Sequence, residues 1–283
     1  MTIFFTCIAV LALPLVVGIG AIVMKGRSSA LQGPSGLLFH MITSRRLAHF
    51  SHFPPEKFRP LIETLSTRKT AMATVKEALD GPAGHVVVIT FDDGFETFFT
   101  EAFPVLEAYG VKATIFPIAG FIGRRSEWDA LPLQQHLSKS QIREISDHGH
   151  EIGSHTMTHA DLTMLPTDDL ERELRDSKAA LEDITGKPVV SLSFPFGSWN
   201  RRVWETAQSI GYAFAAGYRS EGRIEKGILP VHGVYSFDTV QDIIDKITPG
   251  GLFLNAAARA RITSHFAKGT PLWKFRKNYL LVR

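Results

Sequence analysis

Along this chain, short apolar runs alternate with longer stretches in which apolar residues recur every three to four positions. The runs at 86–91, 113–118, 151–155, 189–194, 212–216 and 228–234 are rich in Val, Ile, Phe and Ala and predict strands. Between them lie helix signals. Ser140 opens one helix and Gly149 stops it, Thr167 precedes an acidic first turn, and a third helix runs from Asn200 to Gly211. Over 168–185, Leu170, Leu174, Ser177, Leu181 and Ile184 fall on one stripe, which predicts a core-facing helix. Upstream, "GLLFHMI" (36–42) reads as a short strand, and Pro54-Pro55-Glu56 opens a helix through Leu65. This alternation predicts an α/β domain with a parallel sheet, open or closed into a barrel. No internal repeat or interdomain linker interrupts it, so a single catalytic domain is expected.

In such architectures the loops at the carboxyl ends of the strands build the site, and three predicted strand ends carry chemistry. "VVVITF" runs into Asp92-Asp93-Gly94. Adjacent carboxylates repel unless a cation relieves them, so one acid on a metal and the other free to take a proton would use both; an acidic turn is the plainer reading. "EIGSHTMTHADL" brings His155 and His159, whose i, i+4 spacing on a helical turn suits two imidazoles gripping one ion. One Asp plus two His is a three-ligand set that leaves a coordination position open. In "SLSFPFGSWN", Pro195 and Gly197 shape a loop whose Phe194, Phe196 and Trp199 could line a sugar-stacking wall or simply join the core.

Composition adds limits. A 283-residue chain with 45% apolar residues supports a substantial core. Cys7 is the only cysteine, which excludes disulfides, a thiol nucleophile in the domain and Cys-based metal sites. The net charge of +3 is uneven, with eight Lys/Arg and no acid from Lys246 to Arg283, leaving residues 1–245 at −5. That basic tail, with Trp273, Phe275 and Tyr279, suits either an anionic surface or packing on its own domain; no nucleic-acid reader motif accompanies it. From Ile3 to Met24 there are 22 residues without a charge, enough to span a bilayer, which reads as a membrane anchor. The positives Lys25, Arg27, Arg45 and Arg46 follow that span, so the positive-inside tendency argues for a cytoplasmic domain.

"TFDDGF", "HEIGSHTMTH" and "SFPFGSWN", in this order from about Leu37 to Val234, closely resemble the first three motifs of the NodB-homology polysaccharide deacetylases, carbohydrate esterase family 4. The resemblance implies a distorted (β/α) barrel, placed over 37–245; the uncharged run sets a transmembrane helix at 1–25 before it with a linker at 26–36, and the charge count sets the basic segment 246–283 after it. It implies that Asp93, His155 and His159 hold a divalent metal, usually zinc, and that Asp92 is the general base. Pro195, Phe196, Gly197 and Trp199 would face substrate. Ser193 stands where many members open the third motif with Arg, as in the poly-N-acetylglucosamine deacetylase branch. The acid-supplying His has no clear motif; His232 in "LPVHGV" is the expected acid, and His40 stands where related chains often have a His. The implied activity is removal of N-acetyl groups from an amino-sugar polysaccharide or cell-envelope glycan, with the domain on the extracytoplasmic side of an inner membrane. A lipid-linked sugar as substrate, or a silent carbohydrate-binding member of the fold, are the alternatives.

Overall fold

The computed structural model describes residues 33–45, 51–81, 84–126, 134–218 and 225–248. Its strands are β1 Ser35–Phe39, β2 Met41–Ile42, β3 His52–Phe53, β4 Met72–Ala73, β5 Val87–Asp93, β6 Thr114–Pro117, β7 Glu151–Ile152, β8 Ser191–Ser193, β9 Phe214–Gly217 and β10 Ile228–Gly233. Strands β7-β6-β5-β1-β10-β9-β8 pair in that order, all in parallel, with β4 added beside the start of β5. The two outer strands meet through Ser154, whose N–H donates to Ser191 O and whose carbonyl accepts from Ser193 N, both at 2.9 Å. The sheet is therefore a nearly closed barrel: the alternation of apolar runs and helices predicts the parallel sheet, open or closed, and the closed form is the one the resemblance implies.

Strand alternation sorts the side chains into inside and outside. Leu38, Val88, Phe116, Ala216, Leu229 and Val231 fill the interior. The amino end of the barrel is plugged by the helix Val75–Asp80, which adds Val75 and Ala78 to that cluster. A capping box starts this plug: Thr74 Oγ1 accepts from Glu77 N at 3.3 Å, and Glu77 Oε2 accepts from Thr74 N at 2.9 Å. On the outer face Phe39 packs on Phe53, Phe58 and Phe91 with ring centroids 5.3–5.6 Å apart. Such fully buried rings contribute about 1.5–3 kcal/mol each. The helix Thr167–Thr185 buries Leu170, Leu174, Ser177, Leu181 and Ile184, the expected stripe, and ends at Gly186 with φ 66°.

Several expectations are corrected. β1 begins at Ser35, inside the stretch expected as linker. The helix expected from Ser140 is Lys139–Asp147, capped by Ser138, because only Ser138 has a glutamine, Gln141, three residues on to complete a capping box. β7 proper is Glu151–Ile152, but extended pairing runs on through His155, whose N–H donates to Pro117 O at 3.0 Å as that of Gly153 does to Ile115 O at 2.8 Å; the chain turns only at Thr156, φ 68°. Between β5 and β6 the chain forms a π-helical turn, Phe98–Ala102, leading into the helix Phe103–Ala108. Among the described residues no helix is long and apolar enough to cross a membrane. The stretch Ile3–Met24 and residues 249–283 of the basic tail lie outside them.

Candidate active site

β5 carries Val88, Thr90 and Asp92 on its inward face, so Asp92 enters the carboxyl end of the barrel and Asp93 begins the turn. Asp93 and Gly94 both have φ 68°, a left-handed conformation that costs a non-glycine residue free energy. At Gly94 a Cβ would lie 2.7 Å from Pro117 Cα, so the turn also needs glycine for space. Five described non-glycine residues have positive φ, and four of them, Asp93, Thr156, His159 and Phe196, lie in the three loops of the site. Strain is concentrated where the sequence places chemistry.

The histidines sit on an irregular loop, not on the expected helical turn; Thr156 and His159 at φ 68° and 62° break any helix there. That loop is held from several sides. His155 N donates to Pro117 O at 3.0 Å, and His159 N to Thr156 Oγ1 at 3.1 Å. Glu173, on the long helix, accepts from Met157 N, Thr158 N and Thr158 Oγ1 at 3.0, 2.9 and 2.6 Å. Arg202 donates to the carbonyls of Leu162, Thr163 and Leu165, fixing the descending limb. Glu173 and Arg202 escape a reading of strand ends, because Glu173 sits mid-helix in Thr167–Thr185 and Arg202 in the first turn of the helix Arg201–Ile210.

Asp93 Oδ1 is 3.5 Å from both His155 Nε2 and His159 Nε2. All three side chains are buried or nearly so. His155 Nδ1 lies 2.9 Å from the Ser193 carbonyl, which only accepts, so Nδ1 carries the proton and Nε2 presents its lone pair to Asp93 when the ring is neutral. The ring is neutral near pH 7: burial, then the neighbouring His159, push His155 well below its ordinary value. Burial, then His40 and His136, take His159 down to about 3. A lone pair directed at a carboxylate across 3.5 Å has no proton to share, and a cation between them would satisfy both. The donor set fits a divalent metal.

Asp92 stands apart from this trio. Its Oδ2 is 3.9 Å from His155 Nε2 and accepts from Ser193 Oγ at 2.9 Å, while its buried Oδ1 accepts no hydrogen bond. Burial, then the charge of Asp93, raise its carboxyl well above the usual carboxylate range, against the opposing Ser193 bond. A buried carboxylate with a raised pKa and an open oxygen is equipped to take up a proton.

The third loop closes the site. Phe196, at φ 59°, sets its ring edge against His159 with centroids 4.6 Å apart. Pro195 is buried, and Gly197 lies so close to the Tyr218 ring that a Cβ would come within 2.2 Å of it. Trp199 stacks on buried Phe194 at 5.7 Å, so of the two readings of these aromatics Phe194 takes the core one while Phe196 reaches the ligands. His232 lies in β10 on the alternation face opposite Leu229 and Val231, away from the barrel interior. His40, directly after β1, follows Leu38 on the inward alternation and acts electrostatically on both His155 and His159. His136, which no strand-end signal marks, holds its Nδ1 2.9 Å from the Asp93 carbonyl and is pushed down to about 4 by burial.

A family model described as polysaccharide deacetylase matches residues 80–215, the stretch that holds Asp92, Asp93, His155, His159 and Ser193. The chain carries a polysaccharide deacetylase domain. Over 182 residues the chain is 31% identical to the Bacillus subtilis protein YxkH, covering 62% of this chain and 61% of that one. It is 31% identical over 135 residues to a chitooligosaccharide deacetylase of Sinorhizobium fredii, 47% of this chain and 57% of the relative. The chain thus spans about three fifths of the length of these curated relatives. A solved polysaccharide deacetylase from Bacillus cereus superposes with TM-score 0.65 at 26% identity, over 77% of this chain and 69% of that one. The deacetylase domain has the nearly closed parallel barrel of this structural type.

Proposed function

We propose that the deacetylase domain is a metal-dependent amide hydrolase that removes N-acetyl groups from amino-sugar residues of a glycan, of N-acetylglucosamine type. The observation that carries this reading is the separation of roles between the two acids. Asp93 converges with two neutral imidazoles, whereas Asp92 is tied to Ser193 with one buried oxygen left open. The match to a chitooligosaccharide deacetylase supports the amino-sugar substrate.

Asp93, His155 and His159 would hold the ion; two imidazoles and one carboxylate accept several divalent metals, of which zinc is the one proposed here. When bound, such an ion supplies Lewis acidity toward water and an amide carbonyl at neutral pH. Asp92 accepts the proton of the attacking water. The departing sugar amine then needs a proton, and the inward position of His40 beside the ligands suits that delivery better than the outward position of His232. Phe196 and Trp199 offer aromatic faces to a sugar ring. The reading also keeps Ile3–Met24 as a membrane anchor with the domain on the extracytoplasmic side, which protease accessibility in intact cells tests.

The direct test is acetate release from N-acetylglucosamine oligomers by the purified chain, before and after chelation and with zinc restored. Zinc-dependent acetate is the expected result. Zinc bound without acetate release would overturn the substrate assignment and point to a lipid-linked or differently acylated sugar. Absence of bound metal would overturn the hydrolase reading itself.

A further inference from the structure

Ser193 is the last residue of β8 and lies on the line where the barrel closes. Three of its groups are engaged at once. Its N–H donates to the Ser154 carbonyl at 2.9 Å, which ties β8 to the strand leading into the histidine loop. Its carbonyl accepts from His155 Nδ1 at 2.9 Å, setting the tautomer that turns Nε2 toward Asp93. Its hydroxyl, 3% exposed with the rest of the residue, donates to Asp92 Oδ2 at 2.9 Å. Asp92 arrives from β5, and β1, β10 and β9 separate β5 from β8 on one side of the barrel as β6 and β7 do on the other. The hydroxyl bond therefore crosses the barrel mouth.

We infer that Ser193 is a positioning residue for the proposed deacetylation, its hydroxyl fixing the rotamer of Asp92 so that the open oxygen Oδ1, not Oδ2, faces the water to be deprotonated. This rests on the reading of Asp92 as the base. A carboxylate on two rotatable bonds has several staggered orientations available, and a hydrogen bond to a charged group is strong enough to select one. Among the described residues the Asp92 carboxylate accepts no other hydrogen bond, and His155 Nε2 is 3.9 Å away. The same residue thereby registers base and ligand against each other, through side chain and backbone respectively, and the two functions can be separated by mutation. Removing the hydroxyl leaves the carbonyl that orients His155 in place.

The test compares the full chain with Ser193→Ala and Ser193→Thr in three readouts: zinc affinity, steady-state acetate release from N-acetylglucosamine oligomers, and the crystallographic orientation of Asp92. In Ser193→Ala, zinc affinity is expected to stay within about twofold, kcat to fall about tenfold with KM little changed, and the Asp92 carboxylate to occupy more than one rotamer. Ser193→Thr, which keeps a hydroxyl at the same position, is expected to restore a single rotamer and most of kcat. In an Asp92→Asn background, Ser193→Ala should cost nothing further. Zinc affinity and melting temperature falling in step with kcat would show a merely structural role and overturn the inference. So would an Asp92 side chain held in one unchanged orientation in Ser193→Ala. A parent chain that binds zinc but releases no acetate would refute the substrate reading, and the Asp92 rotamers would still decide the role of Ser193.

Discussion

At the amino ends of the strands, Glu151 is surrounded by donors: Lys76 N and Thr114 Oγ1 at 2.9 Å on one oxygen, and Ser191 Oγ on the other. At the carboxyl end of β5, Asp92 accepts from the Ser193 hydroxyl, and Asp93 Oδ1 lies 3.5 Å from the Nε2 atoms of His155 and His159. The backbone differs in the same sense. The lower end starts a regular helix with a capping box, whereas the upper end collects Asp93, Thr156, His159 and Phe196 at positive φ. The lower end lowers the free energy of the fold, and the upper end gives up part of that stability to hold acceptors together, as the proposed ion and reacting water require.

The largest expected effect belongs to the upper end. Asp92→Asn should lower kcat by about 10³-fold while the protein keeps its metal and its melting temperature, as acetate-release kinetics beside metal analysis will show. Acidification comes next. His136 and His150 are both held down to about 4 in the fold, mainly by burial. Below about 6.5 the unfolded chain protonates these rings and the folded chain does not, so the unfolded state binds more protons. Stability is complete above that value and is lost as pH falls toward about 4, by roughly 2 kcal/mol per ring at pH 5. His159, held at about 3, acts in the same direction. Asp92, with its raised pKa, acts in the opposite one and favours the folded state at low pH. The histidines outnumber it. Denaturant melts of the metal-free chain at pH 7 and 5 should therefore show a lower midpoint at pH 5, and equal midpoints would refute the burial account.

Gly94→Ala should cost about 2–3 kcal/mol in the same melts, since it combines a left-handed backbone with a 2.7 Å approach to Pro117 Cα. The smallest effect sharpens the contrast. Glu151→Gln should cost about 1–2 kcal/mol of stability by weakening the donor cluster and leave kcat within about twofold. A large loss of kcat there would mean the two ends are not separable.

Much of this was legible in the sequence because it depends on period and on strand ends. The buried stripe Leu170, Leu174, Ser177, Leu181 and Ile184 follows from the 3.6 period. Asp92, Asp93, His155 and His159 stand where parallel strands release their loops, so a reading of strand ends collects them before any coordinates exist. What escaped it depends on contacts across long sequence separations. The plug helix Val75–Asp80 is too short for a periodic signal and is defined by the barrel it fills. Glu173 and Arg202 look like exposed helix charges until the loop folds onto them. The bond from Ser193 to Asp92 joins residues 101 apart, and spacing alone carries no trace of it. The i, i+4 histidine spacing suggested a helical turn, but the loop reaches the same convergence through left-handed residues.

The measurement that tests the account most directly is the zinc content of the desalted chain after metal loading, taken side by side for the parent, Asp92→Asn and His155→Ala. The account predicts about one zinc per chain in the parent and in Asp92→Asn, and essentially none in His155→Ala. A full complement of zinc in His155→Ala, or its loss in Asp92→Asn, would contradict the division of labour between the two acids on which the proposed chemistry rests.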